Sequence, residues 1–277
     1  MQYKILENFI DKETCAKLIF DATKYSHNES LKVQNNRSIL PSSSISFLNL
    51  LEKSEVWKKL HDYLNSHDFL SILKKELNIT DDSILITNFF FQKKTIFLLK
   101  KYKTLNSKKI STIGNTNLVY YLVFKFYRYL LRKLKYSFTH KKFVELLYDY
   151  SVSPNGYFRE IHRDSDSRTI VFLIYLNELQ GDGSGGELNL FKYKKENESV
   201  PAQPNEEDCK MIDSISPKTG RLVTFLNSHD SLHSVSKMTN HTDLRHFLYG
   251  SFTLLGKKNI FLKKSIGNLK TNFNIFE

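Results

Sequence analysis

The spacing of hydrophobic residues changes near residue 143 from a helical period to a strand period. Three earlier segments carry apolar side chains at helical spacing: residues 13–25, 54–63 and 67–77. Residues 83–91 form an apolar run without that spacing, which predicts an isolated strand. From residue 143 to 255, short apolar runs alternate with turns containing Gly, Pro and Asn, a pattern typical of a double-sheet β-sandwich or jelly roll.

Two polar segments interrupt these patterns and are expected to be loops. Residues 26–47 are rich in Asn and Ser, and a surface loop explains them more simply than a lid over an active site. Residues 191–217 are rich in Glu, Asp and Pro, and they are predicted to form a mobile insertion between two strands.

The positive charge of the protein is concentrated in residues 93–142. This segment contains 14 Lys and Arg and no Asp or Glu, so subtracting it from the net charge of +12 leaves about −2 for the rest of the chain. Its apolar centre, residues 118–124, is far too short to cross a bilayer, which needs about 20 apolar residues. Two interpretations stay open: a helix packed on the sheet with a solvated basic face, or a basic aromatic helix that binds an anionic membrane surface or a polyanion.

A length of 277 residues with 40% hydrophobic residues is sufficient for one large β domain with helices, or for two small domains. The two cysteines, Cys15 and Cys209, lie far apart and indicate neither a disulfide framework nor a thiolate metal site. The first residues lack the apolar run of a signal peptide. The expected location is therefore cytoplasmic, with a peripheral position at a membrane as the alternative.

His162 and Asp164 form a His-x-Asp pair just before a strongly apolar run at residues 168–177. In a strand, residues i and i+2 point to the same side, so an imidazole nitrogen and a carboxylate oxygen can bind one ion. Two imidazoles and one carboxylate are the ligand set that leaves positions open on Fe(II) for oxygen chemistry. A second pair of this kind, His241 and Asp243, lies in a polar turn and is the weaker candidate.

His233 is the best candidate for the second imidazole, because apolar and polar residues alternate around it as in a half-buried strand. His229 and His241 lie in turn-like sequence and fit less well. Arg245 opens a second strand-like run twelve residues after His233. If the two strands form a hairpin centred on Thr239, His233 and Arg245 face each other with Cβ atoms about 5 Å apart. The arginine could then hold the far carboxylate of a dicarboxylate that also binds the metal.

Ordered motifs in the chain resemble those of the iron(II)- and 2-oxoglutarate-dependent dioxygenase superfamily, in its prolyl 4-hydroxylase-like branch. They run in the family's order: Tyr3–Ile10 with the helix that follows, His162-Arg163-Asp164, Ile174–Asn177, Gly185–Leu188, Gly220–Phe225, Leu232–Val235 and Arg245. The resemblance covers the two ends of the chain and most of residues 146–255, but not residues 93–142. The gap from His233 to Arg245 is somewhat longer than is usual in the family.

The resemblance implies an α+β fold with a double-stranded β-helix (jelly-roll) core and N-terminal helices packed on one sheet, to which the charge pattern adds a basic helical insertion. It implies one domain over residues 1–277. Within it, residues 1–92 are the N-terminal support region, residues 93–142 the basic insertion and residues 143–257 the catalytic core.

The resemblance also implies a site chemistry. His162, Asp164 and His233 are expected to bind Fe(II), and Arg245 with the Tyr175 hydroxyl to bind 2-oxoglutarate. The implied reaction consumes O2 and 2-oxoglutarate, releases succinate and CO2, and hydroxylates a C–H bond, with ascorbate as an additional candidate cofactor. Two tyrosines are weaker candidates for lining the cofactor site, Tyr150 and Tyr157.

The substrate and the role of the basic segment stay open. A prolyl or other peptide side chain and a small molecule are both candidate substrates, and Arg168 is either structural or in contact with the substrate. A nucleic-acid dealkylase would suit the basic segment, but the chain has no clear nucleic-acid motif. The rival interpretation is a non-catalytic jelly-roll binding protein that docks on a membrane or polyanion through residues 93–142. A cupin-like metal enzyme without 2-oxoglutarate would have no use for Arg245.

Overall fold

The computed structural model describes residues 1–25, 32–34, 36–80, 84–86, 142–181, 183–195 and 199–254. The basic insertion predicted over residues 93–142 lies outside these ranges apart from its last residue, as does most of the strand predicted over residues 83–91. The helical character and binding roles of the insertion therefore stay predictions. Within the described ranges, no helix has the length and apolar character that a membrane span requires.

The described strands form two sheets. In chain order they are β1 (Tyr3–Leu6), β2 (Lys32–Gln34), β3 (Arg37–Pro41), β4 (Ile84–Ile86), β5 (Lys142–Ser153), β6 (Arg159–His162), β7 (Arg168–Tyr175), β8 (Leu188–Tyr193), β9 (Cys209–Ile215), β10 (Leu222–Leu226), β11 (Leu232–Val235) and β12 (Arg245–Leu254). The major sheet has the order β1-β10-β7-β12-β5-β3-β2, with β4 paired in parallel to β5, and the minor sheet has the order β6-β11-β8-β9. The other pairs between these strands are antiparallel.

A hydrophobic core lies between the two sheets. Leu188 and Leu190 of the minor sheet pack there with Val171, Phe225 and Phe247 of the major sheet. Each strand therefore buries one face against the opposite sheet, as short strands separated by turns predict. The predicted α+β class with a two-sheet β core is confirmed.

Four helices in the described part of the chain cover the outer face of the major sheet: α1 (Lys12–Tyr25), α2 (Ile45–Lys53), α3 (Glu55–Leu64) and α4 (His67–Glu76). Serine side chains cap α2, α3 and α4 by accepting a hydrogen bond from the backbone N–H three residues on: Ser44, Ser54 and Ser66. The ring of Trp57 packs edge-on against Tyr150, and that of Phe69 against Phe172. The predicted packing of N-terminal helices on one sheet is confirmed.

The alternation of side chains in β12 separates a helix-facing side from an interior side. Leu248 and Phe252 belong to the core under the helices, whereas Phe247 belongs to the core between the sheets, with Tyr249 packed against it. Arg245 has the same parity as these two interior residues and therefore also faces the interior. The odd-numbered residues of β12 therefore face the space between the sheets, and the even-numbered residues face the helices.

The two segments predicted as loops contain strands. Residues 26–47 include β2, β3 and the start of α2, and residues 191–217 include the end of β8 and all of β9. In the minor sheet β9 is an edge strand that pairs with β8 from Leu188↔Ile215 to Tyr193↔Cys209. An edge strand can keep most of its side chains in solvent, so β9 has the polar composition of a loop.

The predicted hairpin centred on Thr239 is wrong, because β11 belongs to the minor sheet and β12 to the major sheet. The residues between them bond elsewhere: the Thr239 N–H donates to Ser184 at 2.9 Å, and the Met238 N–H donates to the Tyr157 carbonyl at 2.9 Å. His233 and Arg245 are therefore not cross-strand partners.

Candidate metal centre

His162, Asp164 and His233 come together at one point of the interior. His162 ends β6 and is paired directly with His233 of β11, with ring centroids 4.4 Å apart. Asp164 lies in the turn that follows β6, and its Oδ2 is 3.8 Å from His233 Nε2. One ligand atom from each of the three residues lies within 4.8 Å of the others. The structure thus brings together the three residues that the sequence predicts as a metal site.

Backbone carbonyls orient both imidazole rings in the same way. His162 Nδ1 lies 2.8 Å from the Glu160 carbonyl oxygen, and His233 Nδ1 lies 3.1 Å from the Ser231 carbonyl oxygen. Each Nδ1 therefore carries the proton that it donates, and each Nε2 keeps its lone pair for an ion. Burial, and after it the nearby His233, lower the pKa of His162 to about 4. Neutral imidazole is the form that binds metals.

Asp164 is buried but surrounded by hydrogen-bond donors. Arg168 Nη1 donates to Oδ1 at 2.7 Å, and the Tyr249 hydroxyl lies 2.9 Å from Oδ1 and 2.8 Å from Oδ2. Burial on its own raises the pKa of this carboxyl, but the charges of His233 and Arg168 outweigh burial and hold the pKa below its ordinary value. Asp164 therefore stays ionised as a carboxylate ligand must be.

Arg245 lies fully buried at the other end of the same interior face, with 0% of its surface exposed. Its Nη2 donates to the Tyr175 hydroxyl at 3.2 Å, and its guanidinium lies 4.6 Å from the centre of the Phe247 ring. Its Nε and Nη1 are buried without a hydrogen-bond partner. Burial raises the pKa of Tyr175, and the Arg245 charge only partly opposes this.

These features fit an iron ion and a dicarboxylate. Ligands at about 2.1 Å from an ion lie about 3 to 4 Å apart, so small rotations of the three side chains close the spacing of the donor set. A buried arginine with unpaired nitrogens leaves donors whose desolvation is costly, and the buried guanidinium charge attracts a carboxylate group. The residues of the interior therefore complement both Fe(II) and an acid that reaches from it toward Arg245.

Tyr150 does not line this site, contrary to the sequence-based expectation. It belongs to the core under the helices, and its hydroxyl lies 2.7 Å from His246 Nδ1. An even residue number in β5 places its side chain on the helix side, whereas Ser151 and Ser153 face inward. Tyr157 is buried in a small cluster with Val235. It lies close enough to Tyr175 to influence the pKa of that residue, so its proposed role at the site stays a prediction.

Of the remaining candidate residues, Arg168 contacts the proposed metal site, whereas His229 and His241 do not belong to it. Arg168 touches the proposed ligand Asp164, which makes it a residue of the site and not a distant surface group. His229 lies 3.2 Å from Arg163 Nη1, and His241 Nε2 lies 3.0 Å from the Ser184 carbonyl oxygen. Neither histidine belongs to the three-residue cluster of donors.

Sequence reasoning missed Tyr249 and Asn227. Tyr249 has the same parity as Arg245 in β12, and that signal could have identified it as an inward residue. Asn227 is buried after β10, and its side-chain amide lies 2.8 Å from the Ser165 carbonyl oxygen and 3.2 Å from the Arg168 carbonyl oxygen. No local pattern marks it, because its partners lie about sixty residues away.

Several solved structures resemble this fold. A prolyl-4-hydroxylase from Pseudomonas putida is 13% identical over 91% of this chain and 92% of that chain, with a TM-score of 0.39. A prolyl hydroxylase from Trichoplax adhaerens, in complex with a hypoxia inducible factor oxygen degradation domain peptide fragment, is 13% identical over 91% and 83%, with a TM-score of 0.43. A viral collagen prolyl hydroxylase from Paramecium Bursaria Chlorella virus-1, in a 2OG complex, is 14% identical over 91% and 96%, with a TM-score of 0.42.

Comparison with protein families finds a match over part of the chain. No curated protein sequence matches the chain. Residues 147–250 match the family described as the 2OG-Fe(II) oxygenase superfamily. The matched stretch is less than half of the chain and includes His162, Asp164, His233 and Arg245.

Proposed function

We propose that this protein is a 2-oxoglutarate-dependent dioxygenase that binds Fe(II) through His162, Asp164 and His233 and hydroxylates a C–H bond of a peptide, prolyl-type, or of a small molecule. The observation that carries the proposal is the meeting of these three donor residues, two of them buried, in a fold that also buries Arg245 completely. A binding protein without catalysis has no need of this combination.

Arg245 and Tyr175 are the residues proposed to hold 2-oxoglutarate. The free Nη1 of Arg245 can donate a hydrogen bond to the distal carboxylate of the acid, and the buried guanidinium charge attracts that carboxylate. Tyr175 already accepts a hydrogen bond from this guanidinium, so its own hydroxyl proton is available to a second acceptor. The Phe247 ring against the guanidinium keeps water from competing for these donors.

When bound, Fe(II) and 2-oxoglutarate supply the oxidising chemistry: 2-oxoglutarate is decarboxylated to succinate and CO2, and one atom of O2 enters the substrate C–H bond. The chain's own residues hold the geometry. The Glu160 and Ser231 carbonyls fix the two imidazole rings, and the Phe225 ring, 5.0 Å from His233, packs against the second of them. The buried surroundings limit water access to the proposed centre.

An anaerobic titration of 2-oxoglutarate into the Fe(II)-loaded protein tests this function. Bidentate binding of the keto acid to Fe(II) gives a visible charge-transfer band. We expect the band in the wild type, no band in Asp164→Ala, and a band in Arg245→Gln that requires at least tenfold more 2-oxoglutarate. Arg221→Gln is the matched control, because the Arg221 guanidinium pairs with Glu7 at 2.8 Å and its hydrogen bond with Tyr175 uses only the backbone carbonyl, which the substitution keeps.

The outcomes separate the parts of the proposal. A wild type that binds iron without developing the band contradicts the 2-oxoglutarate assignment. A wild type that binds no iron contradicts the metal centre. If Arg245→Gln and Arg221→Gln need the same 2-oxoglutarate concentration as the wild type, Arg245 is not the carboxylate anchor.

A further inference from the structure

The two oxygens of the Asp164 carboxylate have different surroundings. Oδ1 receives the Arg168 guanidinium at 2.7 Å and the Tyr249 hydroxyl at 2.9 Å. Oδ2 has the same hydroxyl at 2.8 Å and otherwise faces His233 Nε2, 3.8 Å away. The Tyr249 hydroxyl lies between the two oxygens, so the Arg168 guanidinium is the contact that distinguishes them. Each carboxylate oxygen offers about two lone-pair positions, and Oδ2 keeps one of them free on the side of the histidines.

The direction of these hydrogen bonds follows from the charges. Arg168 has only donors, and its Nη1 contacts both Oδ1 and the Tyr249 oxygen. Tyr249 must therefore accept from Arg168 and point its single proton at Asp164. The three side chains form a closed ring in which every donor has an acceptor.

Two cations hold the Tyr249 ring in place before any ligand arrives. The Arg168 guanidinium lies 5.0 Å from the ring centre and the Arg37 guanidinium 5.2 Å from it. Arg37 is itself steadied by Asp149, whose Oδ1 lies 3.7 Å from its Nη2. These contacts come from β3, β5 and β7, so the hydroxyl position is set by the major sheet and not by a loop.

We propose that Arg168 and Tyr249 are positioning residues for Asp164: Arg168 occupies Oδ1, Tyr249 steadies the carboxylate between its two oxygens, and Oδ2 is the oxygen that binds the metal. The inference rests on the proposed function. A carboxylate that binds through both oxygens would take one of the positions that a bidentate keto acid and O2 require. Holding Oδ1 away keeps three positions open on an octahedral ion with three protein ligands. The pair is thus built to enforce one-oxygen binding by the carboxylate.

Mn(II) alone, added to the full chain, is the probe for this inference. Its EPR signal reports free ion and hence affinity, and the relaxation of water protons per bound ion reports how many water molecules the ion keeps. Four variants are compared with the wild type: Tyr249→Phe, Arg168→Lys, the double variant Tyr249→Phe/Arg168→Met, and Tyr193→Phe. The last removes a hydroxyl from β8 away from the ring of contacts and is the matched control.

We expect Tyr249→Phe to bind Mn(II) about 10- to 100-fold more weakly, the usual effect of losing an outer partner of a ligand. Arg168→Lys keeps the positive charge beside Asp164, so its affinity for Mn(II) should fall less than that of Tyr249→Phe. In the double variant the freed Oδ1 turns to the ion and displaces one bound water molecule. The relaxation of water protons per bound ion should then fall by roughly the contribution of one water molecule. Tyr193→Phe should match the wild type in both measurements.

Equal affinity and equal relaxation in the wild type, Tyr249→Phe and the double variant, with unchanged unfolding midpoints, would overturn the inference while leaving the metal centre intact. Weaker binding with unchanged relaxation in the double variant also overturns it, since that result describes general loosening and not control over one oxygen. A wild type that binds no Mn(II) removes the proposed metal centre and this inference together.

Discussion

Asn227 shows how one buried amide can shape the turn behind the His-x-Asp pair. Its Nδ2 donates to the carbonyls of Ser165 and Arg168 and approaches that of Asp164 at 3.5 Å. Its Oδ1 accepts from the Ser231 hydroxyl at 3.1 Å, two residues before His233. A single side chain therefore ties the turn that carries one proposed ligand to the strand that carries another.

We predict that Asn227→Asp destabilises the protein more than Asn227→Ala does. Alanine loses the donor, at a cost of about 1–3 kcal/mol for carbonyls left buried and unpaired. Aspartate has nearly the same shape but turns an oxygen toward those carbonyls, which adds repulsion and the cost of a buried charge. Urea unfolding of both variants measures the difference. Equal stabilities, or a more stable aspartate variant, would contradict this account of the turn.

At the scale of elements, Gly220 joins the N-terminal segment to the sheet. Its carbonyl accepts from the Phe9 and Ile10 N–H groups at 2.8 and 3.3 Å, and its own N–H donates to the Tyr175 carbonyl at 2.9 Å. Its φ is +76°, and a Cβ atom there would overlap the Ile10 carbonyl oxygen. The entry into α1 and the end of β7, where Tyr175 lies, thus share one glycine.

We predict that Gly220→Ala costs at least about 2 kcal/mol of unfolding free energy more than Gly156→Ala. Gly156 has a similar φ of +85° but nothing within 4 Å of an added Cβ. Both variants carry the strain of a left-handed residue, about 1–2 kcal/mol. Only Gly220→Ala also displaces a backbone carbonyl. Chemical denaturation of the two variants measures the cost of the overlap between the added Cβ and the Ile10 carbonyl. Equal losses of unfolding free energy would show that α1 can shift without cost.

At the scale of the whole molecule, the described residues of the proposed site all come from outside the segment that carries the charge. Every described residue of the site comes from β3 or from residues after 142, and the basic segment enters between β4 and β5. The helices pack on the opposite side of the major sheet from the proposed metal. The domain division into support region, insertion and catalytic core therefore stays a proposal that can be tested by excision.

We predict that replacing residues 90–138 with a flexible linker of about a dozen residues leaves the 2-oxoglutarate titration unchanged. The linker must be of this length because β4 and β5 are parallel and need a crossover connection. Wild-type chain and excised chain are compared by the visible band and by Trp57 fluorescence, which reports the helix layer. Loss of the band in a chain that keeps a buried Trp57 would assign the segment a part in the site.

The sequence by itself determined the features that depend on neighbours along the chain. Helical periods predicted α1, α3 and α4, and the apolar runs predicted most strands after residue 143. The spacing of His162 and Asp164 and the setting of His233 predicted the donor set, and the structure brings those residues together. These signals are local, because a period or a cap is complete within a few residues.

Only the tertiary structure decided which strands become neighbours and which way their side chains face. It put β11 and β12 in different sheets, turned Tyr150 toward the helices, and made strands of the polar segments β3 and β9. It also brought Tyr249 to Asp164 across 85 positions of sequence. Strand register and parity set these contacts, and both depend on what packs against each face of a sheet, which no stretch of the chain encodes alone.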